Sequence, residues 1–336
     1  MCHRMEDEMF LSLFGAVELG IIYAIMALGV YLTFRVLDFP DLTVEGSFVT
    51  GAAVAALSIM NGFSPLIATV FGTLAGFLAG CLTGILHTKG KINALLSGIL
   101  MMIALYSINL RIMGAPQISL LNETTIKDQL ISIWEKTGID PLLNNILASL
   151  GVERLPATWG ILIIMTVIIV IIKVIMDYYL KTEVGLALRA TGDNQRMIRS
   201  FSANTDNLII VGVGIANGLV ALSGSLIAQH GGFADVGMGI GLIVIGLASV
   251  IIGEALFGTK TIFRATLAVI LGAIIYRIVV TLALRFEFLE TGDMKLITAI
   301  LVIIALVTPK ILQARREKKR RMQKRAEAQL EDVKNA

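Results

Sequence analysis

The sequence predicts an all-α, polytopic transmembrane helical bundle of about nine spans, and three observations predict it. Of 336 residues, 56% are hydrophobic and only 16% charged, against roughly 25% charged in soluble domains; the mean hydropathy is +0.82. Apolar runs near the roughly 20 residues that match a hydrocarbon core at 1.5 Å per residue recur along the chain. Basic residues fall in some of the intervening segments and hardly in others, as topology requires and as soluble folds do not.

The runs read as Phe10–Phe34, Leu42–Met60, Pro65–Leu86, Ile92–Met113, Trp159–Leu180, Leu208–Ala228, Ile240–Phe257, Ile262–Leu284 and Leu296–Leu312. Glu6, Asp7 and Glu8 stand where a secretory signal would be basic, so the first run is expected to remain as a span. Lys310 to Arg325 carries nine Lys or Arg and one acid, Glu317. After a span, such a run reads as an anchor beside anionic lipid, not as a nucleic-acid tail. Residues 1–312 therefore form the membrane domain and 313–336 a basic cytoplasmic tail. A cytoplasmic C-terminus and nine crossings place the N-terminus outside. The inner segments then hold Arg35, Lys89, Lys91, Lys181, Arg189, Arg196, Arg199, Lys260, Arg264 and the tail, while the outer ones hold Arg4, Lys127, Lys136 and Arg154 and, after the eighth span, Arg285 and Lys295.

Taken in order, the first two spans join through RVLDFPD, residues 35–41. Pro40 cannot continue a helix and keeps Phe39 extended. Asp41 suits the start of the second span, and Glu45 lies in its first turn, where the helix dipole favours an acid. A sharper alternative gathers Asp38, Asp41 and Glu45 at the membrane edge for ion or substrate contact. The third span carries Gly72, Gly76, Gly80 and Gly84 on one face, a groove for a close neighbour within the subunit or across a dimer. Residues 114–158 form the one long external segment, which either docks a partner or caps the bundle. Gly231 to Gly258 is glycine-rich with a short apolar core, as in interrupted helices near a transport path.

Ionisable groups inside spans need partners or a wet cavity. Lys173 and Asp177 are four apart and can pair; Arg111 and Arg285 can reach an interface, and an interfacial position suffices for Glu254. Glu18 and Arg277 fall at similar depth in the outer half and are expected to pair or face water. No phosphate-cradling GxxxxGK[ST], HExxH, paired CxxC or GxSxG occurs, so ATP hydrolysis and metal chemistry have no support in this chain. Cys2 and Cys81 imply no disulfide framework, and no resident metal is expected.

A long polar stretch between two strongly apolar runs covers residues 181–207. Gly185 and Gly192 are expected to permit tight turns, Asp193 or Asn194 to cap a short helix, and Arg189, Arg196 and Arg199 to offer charge to a partner. Within it TEVGLALRATGDN, 182–194, matches a Thr-x-x-Gly-x-x-Leu-Arg-Ala-x-Gly-x-Asn loop residue for residue. With AIMALGVYLTFRVLDFPDLTVEGSFVTGAAVAA (24–56) and ALSGSLIAQHGGFADVGMGIGLIVIGLASVIIGEALFG (221–258), it makes the chain resemble the branched-chain amino acid and ribose permease family of ATP-binding-cassette importers.

That resemblance implies a type II importer-like permease in a bacterial cell membrane, with a second permease copy, separate cytoplasmic ATPase subunits and an extracellular substrate-binding lipoprotein. ATP and Mg would sit on the ATPase, none on this chain. Many members begin with one further helix, so this chain starts where their second would lie. The 181–207 loop would couple to the ATPase through Glu183, Gly185, Arg189, Gly192, Asn194 and Arg196, while Glu18, Glu45 and Arg277 are candidates for the path or a buried charge pair. FPDLTVEGSF is similar to the subgroup associated with aromatic amino acid uptake. The alternative is an ion-coupled secondary transporter using Glu18, Glu45 or Glu254.

Overall fold

The computed structural model describes residues 2–149, 155–200 and 204–284, together with Leu296, Ala299, Ile300, Ile303 and Val307. The expected ninth span, apart from those five residues, and the basic tail lie outside the described residues.

Helix α1 (Cys2–Tyr31) runs on into a π-helical turn, Leu32–Val36. Then follow α2 (Thr43–Met60), α3 (Pro65–Thr88) and α4 (Ala94–Met113). Strand β1 (Gln117–Ser119) and two short helices, α5 (Ile126–Glu135) and α6 (Ile139–Ser149), make up most of the 114–158 segment. Beyond it come α7 (Gly160–Lys181), α8 (Glu183–Ser200), α9 (Thr205–Gly231), β2 (Phe233–Asp235), α10 (Leu242–Phe257) and α11 (Ile262–Ala283). Among the described residues seven helices are long and apolar enough to cross a membrane: Met9–Val36, α2, α3, α4, α7, α9 and α11. Helix α10 is apolar but has only 16 residues, about 24 Å, and so falls short of the full span read from 240–257. Its start lies within the bundle, because a Cβ on Gly239 would run into the Glu45 carbonyl of α2.

Helix α9 is the central post, packed against α1, α2 and α3. The glycine stripe of α3 faces it. Cβ atoms at Gly76, Gly80 and Gly84 would strike Asn217 and Ala221, Val213, and Ile210 in turn, and at Gly72 would strike Ser225. The stripe is thus filled from within the subunit, which decides between the two packings open to the sequence. Small residues permit this approach because, without a hydrophobic force between lipid-exposed helices, close backbone packing is what joins them.

The bundle has two distinct ends. At one, β1 pairs antiparallel with β2, Ile118 opposite Ala234. Here α5 and α6 lie on the helix ends: the Ile126 N–H donates to the Gln229 side chain (3.0 Å), and the Trp134 and Trp159 ring N–H groups donate to Asp140 (2.7 Å) and Asn144 (3.0 Å). The described part of the long segment is therefore structured and lies over the helix ends. At the other end α8 crosses beneath α7, α9 and the π-turn.

Candidate coupling element and translocation cavity

Helix α8 is where most of the expected coupling residues fall. The Thr182 hydroxyl accepts the Gly185 N–H (3.2 Å) and opens it. At Asn194 the backbone leaves helical geometry (φ −157°, ψ 87°), and its side chain accepts the Met197 N–H (3.1 Å). An asparagine able to cap from a non-helical conformation thus turns one polar stretch into two short helices at an angle. The glycines do something other than the expected turns. Neither has a left-handed φ; both lie in helical backbone where a neighbour comes close. A Cβ on Gly185 would meet Leu180, and one on Gly192 the Val36 carbonyl oxygen and, at 3.0 Å, the Leu37 carbonyl carbon.

Gly185, Leu188 and Ile198 are buried, holding α8 to the bundle, while Glu183, Asn194 and Arg196 are exposed. Also exposed are the apolar Val184, Leu186 and Met197. Arg199 is committed within the chain, donating to Thr205 (2.8 Å) and Asp206 (2.7 Å) at the start of α9. Arg189 turns instead toward a cavity under α1, α10 and α11.

Gly192 makes α8 touch the segment that enters the bundle interior. In the π-turn the Phe39 N–H reaches back to Thr33 O (2.9 Å). Asp38 takes a left-handed φ of 51°, a conformation short polar side chains tolerate, and the chain folds inward to Asp41. The alternative in which three carboxylates gather at one edge is dispersed by this path. Asp38 is exposed, whereas Asp41 is fully buried and accepts the Thr43 N–H (2.9 Å) and the Asn217 amide (2.6 Å). Burial pushes the Asp41 carboxyl above the usual carboxylate range, although the Thr43 and Asn217 hydrogen bonds pull it back. Glu45 accepts the Gly241 N–H (2.9 Å) at the start of α10.

Helices α2 and α10 thus meet. Helix α2 is entered through irregular backbone from the α8 end, α10 through irregular backbone from the sheet end, and Glu45 joins them. Beside that junction lies a cavity of about 390 Å³, lined by Glu45, Val49, Met102, Ile103, Tyr106 and Asn109 among others. A largely apolar concavity with a few converging polar groups, at a helix interruption, is what a small-solute path requires. Asn109 is held by Thr50 (2.9 Å) and the Gly46 carbonyl (3.2 Å). With Asn217 and Gln229 it belongs to a buried amide set that sequence reasoning passed over, because uncharged amides inside apolar runs do not disturb hydropathy. Their signal was polarity within a span, which must be satisfied somewhere.

The remaining charges have partners that the sequence identified only in part. Lys173 and Asp177 pair as expected (2.5 Å); Asp177 also accepts the Thr266 hydroxyl (2.6 Å), and the Lys173 ammonium lies 3.5 Å from the Phe263 ring centre. Glu254 is ion-paired to Arg35 rather than merely interfacial. Arg277 does not pair with Glu18: its guanidinium stands 5.2 Å from the Tyr23 ring centre, and its Nε, buried, finds no hydrogen-bond partner among the described residues. Similar depth along two helices did not place the pair on facing sides. Among the described residues no group of three His, Cys, Asp or Glu could hold a metal.

Residues 12–307 match the model of the branched-chain amino acid transport system permease component family. The chain is 43% identical over 289 residues to the tyrosine transport system permease protein of Clostridioides difficile (strain R20291), covering 86% of this chain and 88% of that one. It is 33% identical over 302 residues to an uncharacterized protein of Rickettsia prowazekii (strain Madrid E), covering 89% and 98%. No solved structure matches significantly. A membrane bundle whose helices are interrupted around one cavity, matched along most of its length by a permease model, belongs to the branched-chain amino acid transport system permease component family.

Proposed function

We propose that this chain is the membrane-spanning subunit of an ATP-binding-cassette importer in a bacterial cell membrane. It carries an amino acid, aromatic in preference, and is driven by separate ATPase subunits that hold ATP and Mg. One observation carries the reading. Helix α8 presents Val184, Leu186, Arg196 and Met197 outward, while through Gly192 it touches Val36 and Leu37, the start of the segment leading to Asp41 and Glu45. A force on α8 is thereby delivered to the cavity without passing through lipid. Exposed apolar side chains interleaved with an arginine suit a protein partner better than water.

On this reading the α8 end is cytoplasmic, the N-terminus is outside, and the sheet end receives an extracellular substrate-binding lipoprotein. Two copies of the chain flank the path. Glu45 supplies a negative wall, and Met102, Ile103 and Tyr106 an apolar one, fitting an amino acid with a large side chain. The relative described as a tyrosine permease points to the same class.

Uptake into right-side-out vesicles loaded with ATP tests the proposal. Transport should need ATP and the co-expressed ATPase, and should persist when an ionophore collapses the proton and sodium gradients. Uptake that follows the gradient and ignores ATP would instead establish the secondary transporter built on Glu18, Glu45 or Glu254. Met197→Cys should cross-link to the ATPase subunit; Met60→Cys, exposed at the end of α2, should not.

A further inference from the structure

A second cavity of about 390 Å³ lies at the α8 end, lined by Tyr31 at the end of α1, Arg35 in the π-turn, Arg189 on α8, Glu254 on α10, and Thr259, Lys260 and Thr261 between α10 and α11. It shares no lining residue with the cavity at Glu45. The Arg35–Glu254 pair neutralises itself across it. Among the described residues Arg189 and Lys260 have no ion-pair partner, so the walls carry two uncompensated cations. The 22-residue helix α11 starts here, with the Thr261 hydroxyl accepting the Arg264 N–H (3.2 Å). Its positive end adds to the attraction for an anion.

The chain flanking these residues is apolar and exposed: Leu256 and Phe257 before them, Phe263 after them. A soluble anion site has no use for such a rim, and an acidic segment of a protein would leave it wet. An amphiphile uses both parts. We infer that this cavity holds the phosphodiester head group of an anionic membrane phospholipid between Arg189, Lys260 and the start of α11, with hydrocarbon along Leu256, Phe257 and Phe263. The bound lipid bridges α8 to the α10–α11 link and so steadies the helix that receives the partner's force. This goes beyond the transport reading, since the binding itself requires neither ATP nor substrate.

Native mass spectrometry of the purified full-length chain, titrated with phosphatidylglycerol or phosphatidylcholine of identical acyl chains, tests it. Phosphatidylglycerol should bind at least about tenfold more tightly. Lys260→Gln should lower its affinity by about tenfold, the worth of one charge-assisted hydrogen bond. Lys260→Arg should restore it, and Arg111→Gln, exposed at the opposite end, should change nothing. Equal binding of the two lipids, or binding indifferent to Lys260→Gln, would overturn the inference. So would thermal stabilisation by inorganic phosphate alone as large as that by the lipid, which would make the ligand a soluble anion. Amine labelling of Lys260 that is blocked by the ATPase subunit and unaffected by phosphatidylglycerol would assign the cavity to a protein interface, and equally overturn it.

Discussion

Replacing Gly192 by Ala isolates the contact on which coupling is proposed to rest. The added Cβ would overlap the Val36 carbonyl oxygen and stand 3.0 Å from the Leu37 carbonyl carbon, where ordinary contact begins at 3.4 Å. Both obstacles are backbone and cannot swing aside. Helix α8 must therefore part from the π-turn by more than the 0.4 Å deficit at Leu37, because the overlap at Val36 is worse. Overpacking of this kind costs about 1–3 kcal/mol, enough to shift the docked state of α8 about 5-fold or more. In proteoliposomes containing the ATPase and binding protein, Gly192→Ala should cut substrate transported per ATP hydrolysed several-fold while hydrolysis continues. Gly15→Ala is the control, since nothing lies within 4 Å of its Cβ position. A transport-to-hydrolysis ratio for Gly192→Ala equal to wild type, with equal thermal stability, would refute the argument that force passes through this contact.

Other consequences are equally direct. Gly76→Val sets a branched side chain against Ala221 and the Asn217 carbonyl of α9, and should lower the melting temperature sharply in detergent; unchanged melting would remove the stripe from the packing account. Burial raises Asp41, so its protonated form is favoured by the fold: that stability is complete below the ordinary aspartate value and is lost as pH rises through the folded one. Asp41→Asn should then flatten the decline in melting temperature as pH rises above the ordinary aspartate value, and parallel curves for the two proteins would contradict it. The Arg35–Glu254 pair is half open to solvent, with the arginine side chain 52% exposed, so a double-mutant cycle with Arg35→Gln and Glu254→Gln should give a coupling of about 1 kcal/mol or less. A much larger value would mean that the pair is closed off from water.

The amide set explains why the site was harder to see than the fold. Asn217, Asn109 and Gln229 sit in apolar runs whose hydropathy they barely lower, yet each holds two elements together: Asn217 binds Asp41, Asn109 binds α2, and Gln229 binds Ile126 and Thr69. Charges announce themselves in a span because burying them is costly; amides do not.

By itself the sequence determined the class, the seven long apolar helices among the described residues and the position of the α8 element. Hydropathy acts residue by residue, and the capping power of Asn194 and Thr182 is local chemistry. Local patterning also foretold the Lys173–Asp177 pair, since four residues along a helix set both on one side. What only the tertiary structure decided is which faces meet. Helical periodicity gives depth and direction but not the rotation of one helix against another, so Arg277 went to Tyr23 and not to Glu18. The same reason applies to the glycines of α8: the sequence marks them as places lacking a side chain, and only the approach of Val36 and Leu180 shows that the missing atoms make room for backbone and not for a turn.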